Sequence, residues 1–178
     1  MGKRGAQWDA EGRQGKWDSR CEQVMEPGEA NEPTTYYNSV YTHGVDEKRR
    51  VQIPAKWRPA QAGAELTVIL WPRSAAGACL RVLPAKQMAQ LMKDIELMPN
   101  GDGKTTLKRI IGRGSEQAVL DKSGRICLPE SMAKEAGITE KAVFVGLLDR
   151  FEIWNPERYQ KVEVADAMMA PDALKLVG

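Results

Sequence analysis

Two short loops carry the residue types best suited to gripping a polyanion. Asp46-Glu47-Lys48-Arg49-Arg50 and Asp121-Lys122-Ser123-Gly124-Arg125 each place an arginine four residues after an aspartate, with a lysine between them. A carboxylate at the head of a tight loop accepts backbone N–H groups and pairs with a guanidinium four residues on, which sets the loop's shape and the arginine's direction together. A guanidinium so held makes two parallel hydrogen bonds to a guanine edge or to a phosphate, and nearby lysines act as point charges on a nucleic-acid backbone. A plainer reading, in which Asp and Arg only staple a β-hairpin, fits either loop taken singly.

Duplication favours the first reading, since two copies present two such loops side by side. Val45 to Pro54 aligns with Leu120 to Pro129, and Asp, Arg and Pro all recur at an offset of 75 (46 to 121, 50 to 125, 54 to 129). After each proline the pattern predicts a short helix closed by Gly63 or Gly137, then an apolar strand (Leu66 to Trp71; Ala142 to Leu148). A second strand follows and enters a proline-led helix, at Leu80 to Pro84 and at Phe151 to Pro156. Proline suits the first helical turn, where its missing N–H costs nothing, and Asn155 is a good N-cap. The loops themselves are expected as hairpin turns between strand-like runs, Gln117 to Leu120 and Arg125 to Leu128 in the second copy.

Between the copies, Met88, Leu91, Met92, Ile95 and Met98 fall at helical spacing, and Leu107, Ile110 and Ile111 continue it after Pro99-Asn100-Gly101-Asp102-Gly103. This predicts a helical hairpin whose methionine stripe belongs to a core or a subunit interface. Gly103-Lys104-Thr105 ends like a phosphate-binding loop, but Met98 stands where that motif needs its first glycine, and no apolar strand leads in. It is read as a helix–helix turn with Asp102 as N-cap.

Composition narrows the classes further. The chain has 178 residues, is 42% hydrophobic and has a net charge of +2, so it can bury a core, and its basic residues matter by placement and not by excess. From Val45 to Arg58, Lys48, Arg49, Arg50, Lys56 and Arg58 face only Asp46 and Glu47. Cys21, Cys79 and Cys127 are too scattered for a disulfide framework or a zinc site, and His43 is the sole histidine. No catalytic constellation, metal or cofactor is expected. Residues 1–35 lack hydrophobic periodicity and read as a disordered tail; they contain no apolar signal segment, and no run is long enough for a membrane span. A reducing cytoplasm fits this inventory.

Ile110 to Pro129, then Ala136-Gly137-Ile138 and Val145 to Trp154, resemble the second half of the MraZ family, and Tyr37 to Pro54 resembles its first half more weakly. The twin D-x-x-x-R loops in this setting are shared by that family and its AbrB-like relatives. The resemblance implies an α+β, β-rich fold: a double-split β-barrel of two swapped-hairpin repeats with pseudo-twofold symmetry, plus helices. Residues 36–100 would form the first repeat, 101–165 the second, and 166–178 a C-terminal tail. It also implies a ring-shaped homo-oligomer, nucleoid-associated, that regulates transcription by binding repeated double-stranded DNA sites in the promoter of the division and cell-wall gene cluster. By position, Arg50 and Arg125 would face DNA, Lys48 and Lys122 would touch phosphates, and Asp46 and Asp121 would position the loops. Arg49 stands where the family favours glycine, adding a cation and changing a loop position that calls for positive φ. The rival reading is a noncatalytic protein-interaction or antitoxin-like module of the same fold.

Overall fold

The computed structural model describes residues 35–59, 63–73 and 75–177. The expected N-terminal tail, 1–35, lies outside these residues except for its last position. The described chain is a mixed α+β fold built on an antiparallel sheet. Its strands are β1 (Val40–Gly44), β2 (Arg50–Gln52), β3 (Glu65–Arg73), β4 (Gly77–Pro84), β5 (Ser115–Val119), β6 (Arg125–Cys127), β7 (Lys141–Gly146) and β8 (Phe151–Trp154). Six of them form one sheet in the order β1-β7-β8-β4-β3-β5, and β2 pairs with β6 in a separate ribbon.

Alternation along β3 and β4 explains how the sheet is covered on both faces. Leu66, Val68, Leu80 and Val82 turn toward the main core, which holds Trp57, Phe144 and Phe151. Ile69 and Leu83 turn the other way and pack with Ile95 and Ile111 from the helical hairpin α1 (Ala85–Leu97) and α2 (Asp102–Arg113). Met92, Met98 and Ile110, expected in the same stripe, remain exposed. Gly101, not Asp102, is the N-cap of α2, and Asp102 sits in its first turn. Lys104 is spent on the end of α1, where it donates to the carbonyls of Glu96 (2.7 Å) and Met98 (3.4 Å), so the resemblance to a phosphate loop has a structural origin.

The two segments that follow the repeated prolines differ. In the second, α3 (Glu130–Ala136) ends at Gly137 with φ 69°, the left-handed cap that was expected. In the first there is only a single 3-10 turn, Ala55–Trp57, and Arg58 is already extended (φ −74°, ψ 129°). Pro59 follows directly, and the residue before a proline is pushed out of the helical region. The expected helix up to Gly63 is therefore cut short. The last helix, α4 (Pro156–Leu174), starts as expected, with Asn155 Oδ1 accepting from the Arg158 N–H at 3.0 Å, and it runs on through residues 166–174. No helix among the described residues is long and apolar enough to cross a membrane.

The hairpin expectation needs correcting. β5 pairs with β3 and β6 with β2, so the strands flanking Asp121 to Gly124 do not pair with each other; β1 pairs with β7, and the flanks of the first loop meet only at the single antiparallel bridge between Val45 and Val51. Only the loop roots close locally, through Asp46 N–H to Arg50 O (3.1 Å) and Asp121 N–H to Arg125 O (2.8 Å). Crossing β2 with β6 brings Val51 opposite Ile126, both buried, which a local hairpin would not achieve.

One charged pair lies inside the sheet. Arg81 and Glu152 are register partners on β4 and β8, joined at 2.9 Å, and the second Glu152 oxygen accepts from Trp154 Nε1 at 2.9 Å. Glu152 is 2% exposed, and Arg81 also stacks 3.9 Å from the Trp71 ring centroid. Replacing Arg81 with Met leaves a buried carboxylate without its partner; urea titration at fixed protein concentration is expected to show a loss of about 3–5 kcal/mol.

Candidate nucleic-acid interface

The ribbon β2–β6 sets out the two repeated loops. Its register places Arg50 opposite Cys127 and Gln52 opposite Arg125. Side chains alternate along a strand and cross-strand partners share a face, so Arg50, Gln52, Arg125 and Cys127 stand on the outer side while Val51 and Ile126 point into the core. Arg50 and Arg125 are thus diagonal neighbours on one surface.

Each loop is tied by its aspartate in the manner its spacing predicted. Asp46 Oδ1 accepts the Lys48 and Arg50 backbone N–H groups at 2.9 and 2.8 Å, and its Oδ2 accepts Arg50 Nε at 2.7 Å. Asp121 Oδ1 accepts the Ser123 and Arg125 N–H groups at 2.8 and 3.0 Å, and its Oδ2 accepts Arg125 Nε at 2.9 Å. The fourth position of each loop is left-handed, φ 58° at Arg49 and 74° at Gly124. The Arg50 backbone N–H holds the Asp46 carboxyl below the usual carboxylate range, helped by the Arg50 guanidinium and the Lys48 N–H. Arg125 and Ser123 do the same for Asp121.

The loops are also braced by each other's strands. Ile53 N–H donates to Gly124 O at 3.0 Å, and Leu128 N–H donates to Arg49 O at 2.9 Å. Gln52 Nε2 donates to Ser123 O at 2.8 Å, while Cys127 Sγ reaches Lys48 O at 3.3 Å. Reading the sequence alone left out Gln52 and Arg58. Gln52 acts across 71 residues, so no local spacing signals it. Arg58 was visible only as part of the basic run, yet it packs over Gly124.

Lys48 and Lys122 are exposed at the loop tips. Arg49 turns aside, with its Nη2 3.4 Å from Glu130 Oε2. The structure therefore brings Arg50 and Arg125 onto one face, keeps both lysines beside them, and engages Arg49 with a carboxylate. His43 lies on β1, edge-on to Phe144, and its Nε2 is buried without a hydrogen-bond partner. Burial, and then the charge of Arg58, hold its pKa below the usual histidine range. Among the described residues no group of three His, Cys, Asp or Glu side chains is placed to hold a metal ion.

A family model described as "MraZ protein, putative antitoxin-like" matches residues 111–174. The transcriptional regulator MraZ of Rickettsia rickettsii is 39% identical over 126 residues, covering 69% of this chain and 83% of that protein. Its counterparts in Rickettsia africae and Rickettsia typhi are 38% and 39% identical over the same length.

Because the aspartate pKa values are depressed on folding, their bracing is complete above the usual carboxylate range and is lost as pH falls through the depressed values. Acidification is expected to lower the protection of the Ser123 and Arg125 amides, measured as exchange relative to the unstructured chain at the same pH. At neutral pH, Asp121→Ala should speed exchange of the same amides about tenfold while leaving Lys48 and Arg50 protected, as read by hydrogen-exchange NMR.

Proposed function

Since the chain belongs to the MraZ family of transcriptional regulators, which are not enzymes, we propose that it regulates transcription by sequence-specific binding of double-stranded DNA. The observation that carries the reading is the pair of aspartate-tied arginines, Arg50 and Arg125, set on one outer face of the β2–β6 ribbon. In it, these arginines read base edges, Lys48, Lys122 and Arg49 contact phosphates, and Asp46 and Asp121 hold the loops in shape. Arg49 exchanges its exposed Glu130 partner for a phosphate, an inexpensive step because exposed ion pairs contribute little.

The reading extends to architecture. Residues 36–100 and 101–165 are two swapped-hairpin repeats of a double-split β-barrel about a pseudo-twofold axis. The reciprocal bonds between Ile53 and Gly124 and between Leu128 and Arg49, related by the offset of 75, support this. The protein acts in the cytoplasm at the nucleoid as a ring-shaped homo-oligomer on tandem promoter repeats, those of the division and cell-wall gene cluster, without a membrane partner or cofactor. The family description "antitoxin-like" favours a second reading, in which the same surface binds a protein.

Fluorescence anisotropy on a duplex carrying the repeats upstream of its own gene, against a scrambled duplex over a salt series, separates the two. DNA recognition through Z phosphates predicts tighter binding to the native duplex with a logarithmic salt slope of about −0.9Z. Arg50→Ala and Arg125→Ala should each cost about 1–3 kcal/mol of discrimination between the duplexes. Equal, salt-insensitive binding to both duplexes would sink the DNA reading in favour of the protein partner. Ring assembly predicts further that a monomeric variant with every arginine intact loses roughly 10² to 10⁴ in affinity for tandem sites. A monomer that matches the assembled protein would refute the ring.

A further inference from the structure

The two loops differ at their fourth position, and the difference is compensated from the other half of the chain. Arg49 is the fourth residue of the first loop; its counterpart at the offset of 75 is Gly124. The same offset takes Arg58, just past the 3-10 turn, to Ala133 in α3. One half therefore has arginine in the loop and alanine on the segment facing it. The other has glycine in the loop and arginine on the facing segment.

Arg58 occupies the space that a side chain on Gly124 would take. A Cβ there would lie 2.5 Å from Arg58 Nε and 2.6 Å from its Cζ. Its Nε donates to Ile53 O at 2.9 Å, and the Ile53 N–H in turn donates to Gly124 O at 3.0 Å, so guanidinium and loop are anchored on one residue. Arg58 is half-buried and forms no ion pair among the described residues, unlike Arg50, Arg125 and Arg49. An oriented guanidinium lying on a loop, with no carboxylate paired to it among the described residues, can take an anion.

We infer that Arg58 is a phosphate-binding residue of the second loop, supplied in trans by the first half of the chain, and that it fills there the place Arg49 fills in the first loop. This rests on the DNA-binding reading of the loops. Each loop then presents a base-reading arginine, a lysine at its tip, and a second guanidinium over its fourth position. Gly124 is required twice, by its left-handed φ of 74° and by the space Arg58 needs.

The test uses the full chain on the native-repeat and scrambled duplexes. Arg58→Gln keeps a donor for Ile53 O but removes the charge. It should weaken binding to both duplexes about tenfold and reduce the magnitude of the logarithmic salt slope by about 0.9 for each such loop engaged. Arg58→Lys keeps the charge and should keep the wild-type slope while recovering part of the affinity. A wild-type slope in Arg58→Gln, or a lost slope in a folded Arg58→Lys, would mean that Arg58 only packs the loop and would overturn the inference. Arg125→Ala, run in parallel, separates this from the reading beneath it. If Arg125→Ala loses discrimination while Arg58→Gln binds as wild type, only the Arg58 role fails; if the unaltered chain binds both duplexes equally and without salt dependence, the DNA reading fails.

Discussion

The crossing of β2 with β6 is the contact on which the placement of both repeated loops depends. Each strand is only three residues long, too short to persist as an isolated pair in water. What holds them is the alternation that sends Val51 and Ile53 from one side, and Ile126 and Leu128 from the other, into the core beside Trp57 and Met132. Each such side chain contributes roughly 1.5–3 kcal/mol on burial. The outward positions, Arg50, Gln52, Arg125 and Cys127, are then placed without freedom of their own. Because β2 and β6 are joined across more than 70 residues, the ribbon forms only when both halves of the chain have met. Neither half alone presents a finished loop.

What the sequence made legible follows from distance along the chain. Asp46 with Arg50, Asp121 with Arg125, Asn155 with Arg158, and the left-handed Gly137 all act within five residues, so residue type and spacing were enough to read them. The helical hairpin was legible through the periodicity of Met88, Leu91 and Ile95, although Met92 and Met98, at the same spacing, stay exposed. Strand partners were not legible. A run such as Arg125 to Leu128 reads equally well as half of a local hairpin or half of a crossed ribbon, and burial opposite Val51 decides between them. The shortened first helix had a local signal, Pro59 after Arg58, which the parallel with the second copy obscured. Gly146 had none, since a Cβ there would meet Tyr37 O at 2.3 Å from a segment more than a hundred residues away.

The two loops reach the same shape under different constraints. At Gly124 the left-handed backbone is free of steric cost, and the demand comes from outside, from the arginine packed where a Cβ would stand. At Arg49 the same backbone region costs about 1–2 kcal/mol for an L-residue, and the exposed ion pair with Glu130 returns little of it. The strain at Arg49 is sustained by its surroundings: its carbonyl accepts from Leu128 N–H, and its own N–H donates to Asp46 O at 2.8 Å. A loop closed at both ends in this way cannot relax by rotating one residue.

That closure determines what the arginines have left to offer. A guanidinium has five N–H donors in a fixed plane, and an unrestrained arginine side chain carries about 2 kcal/mol of rotamer entropy that any ligand contact must overcome. Arg50 commits its Nε to Asp46, and Arg125 commits its Nε to Asp121, whose Oδ2 also lies 2.9 Å from Arg125 Nη2 as an ion pair. The committed donors lie on the edge nearest the loop, so most of the remaining ones lie on the far edge of the same plane. The aspartate thus orients the fork during folding and leaves a pair of parallel donors unspent. With a lysine such a site would keep its charge and lose this geometry, because an ammonium group has no plane to orient. The outer face of the ribbon is therefore built by using part of each arginine's hydrogen-bonding capacity on the protein itself, so that the direction of the rest is already determined.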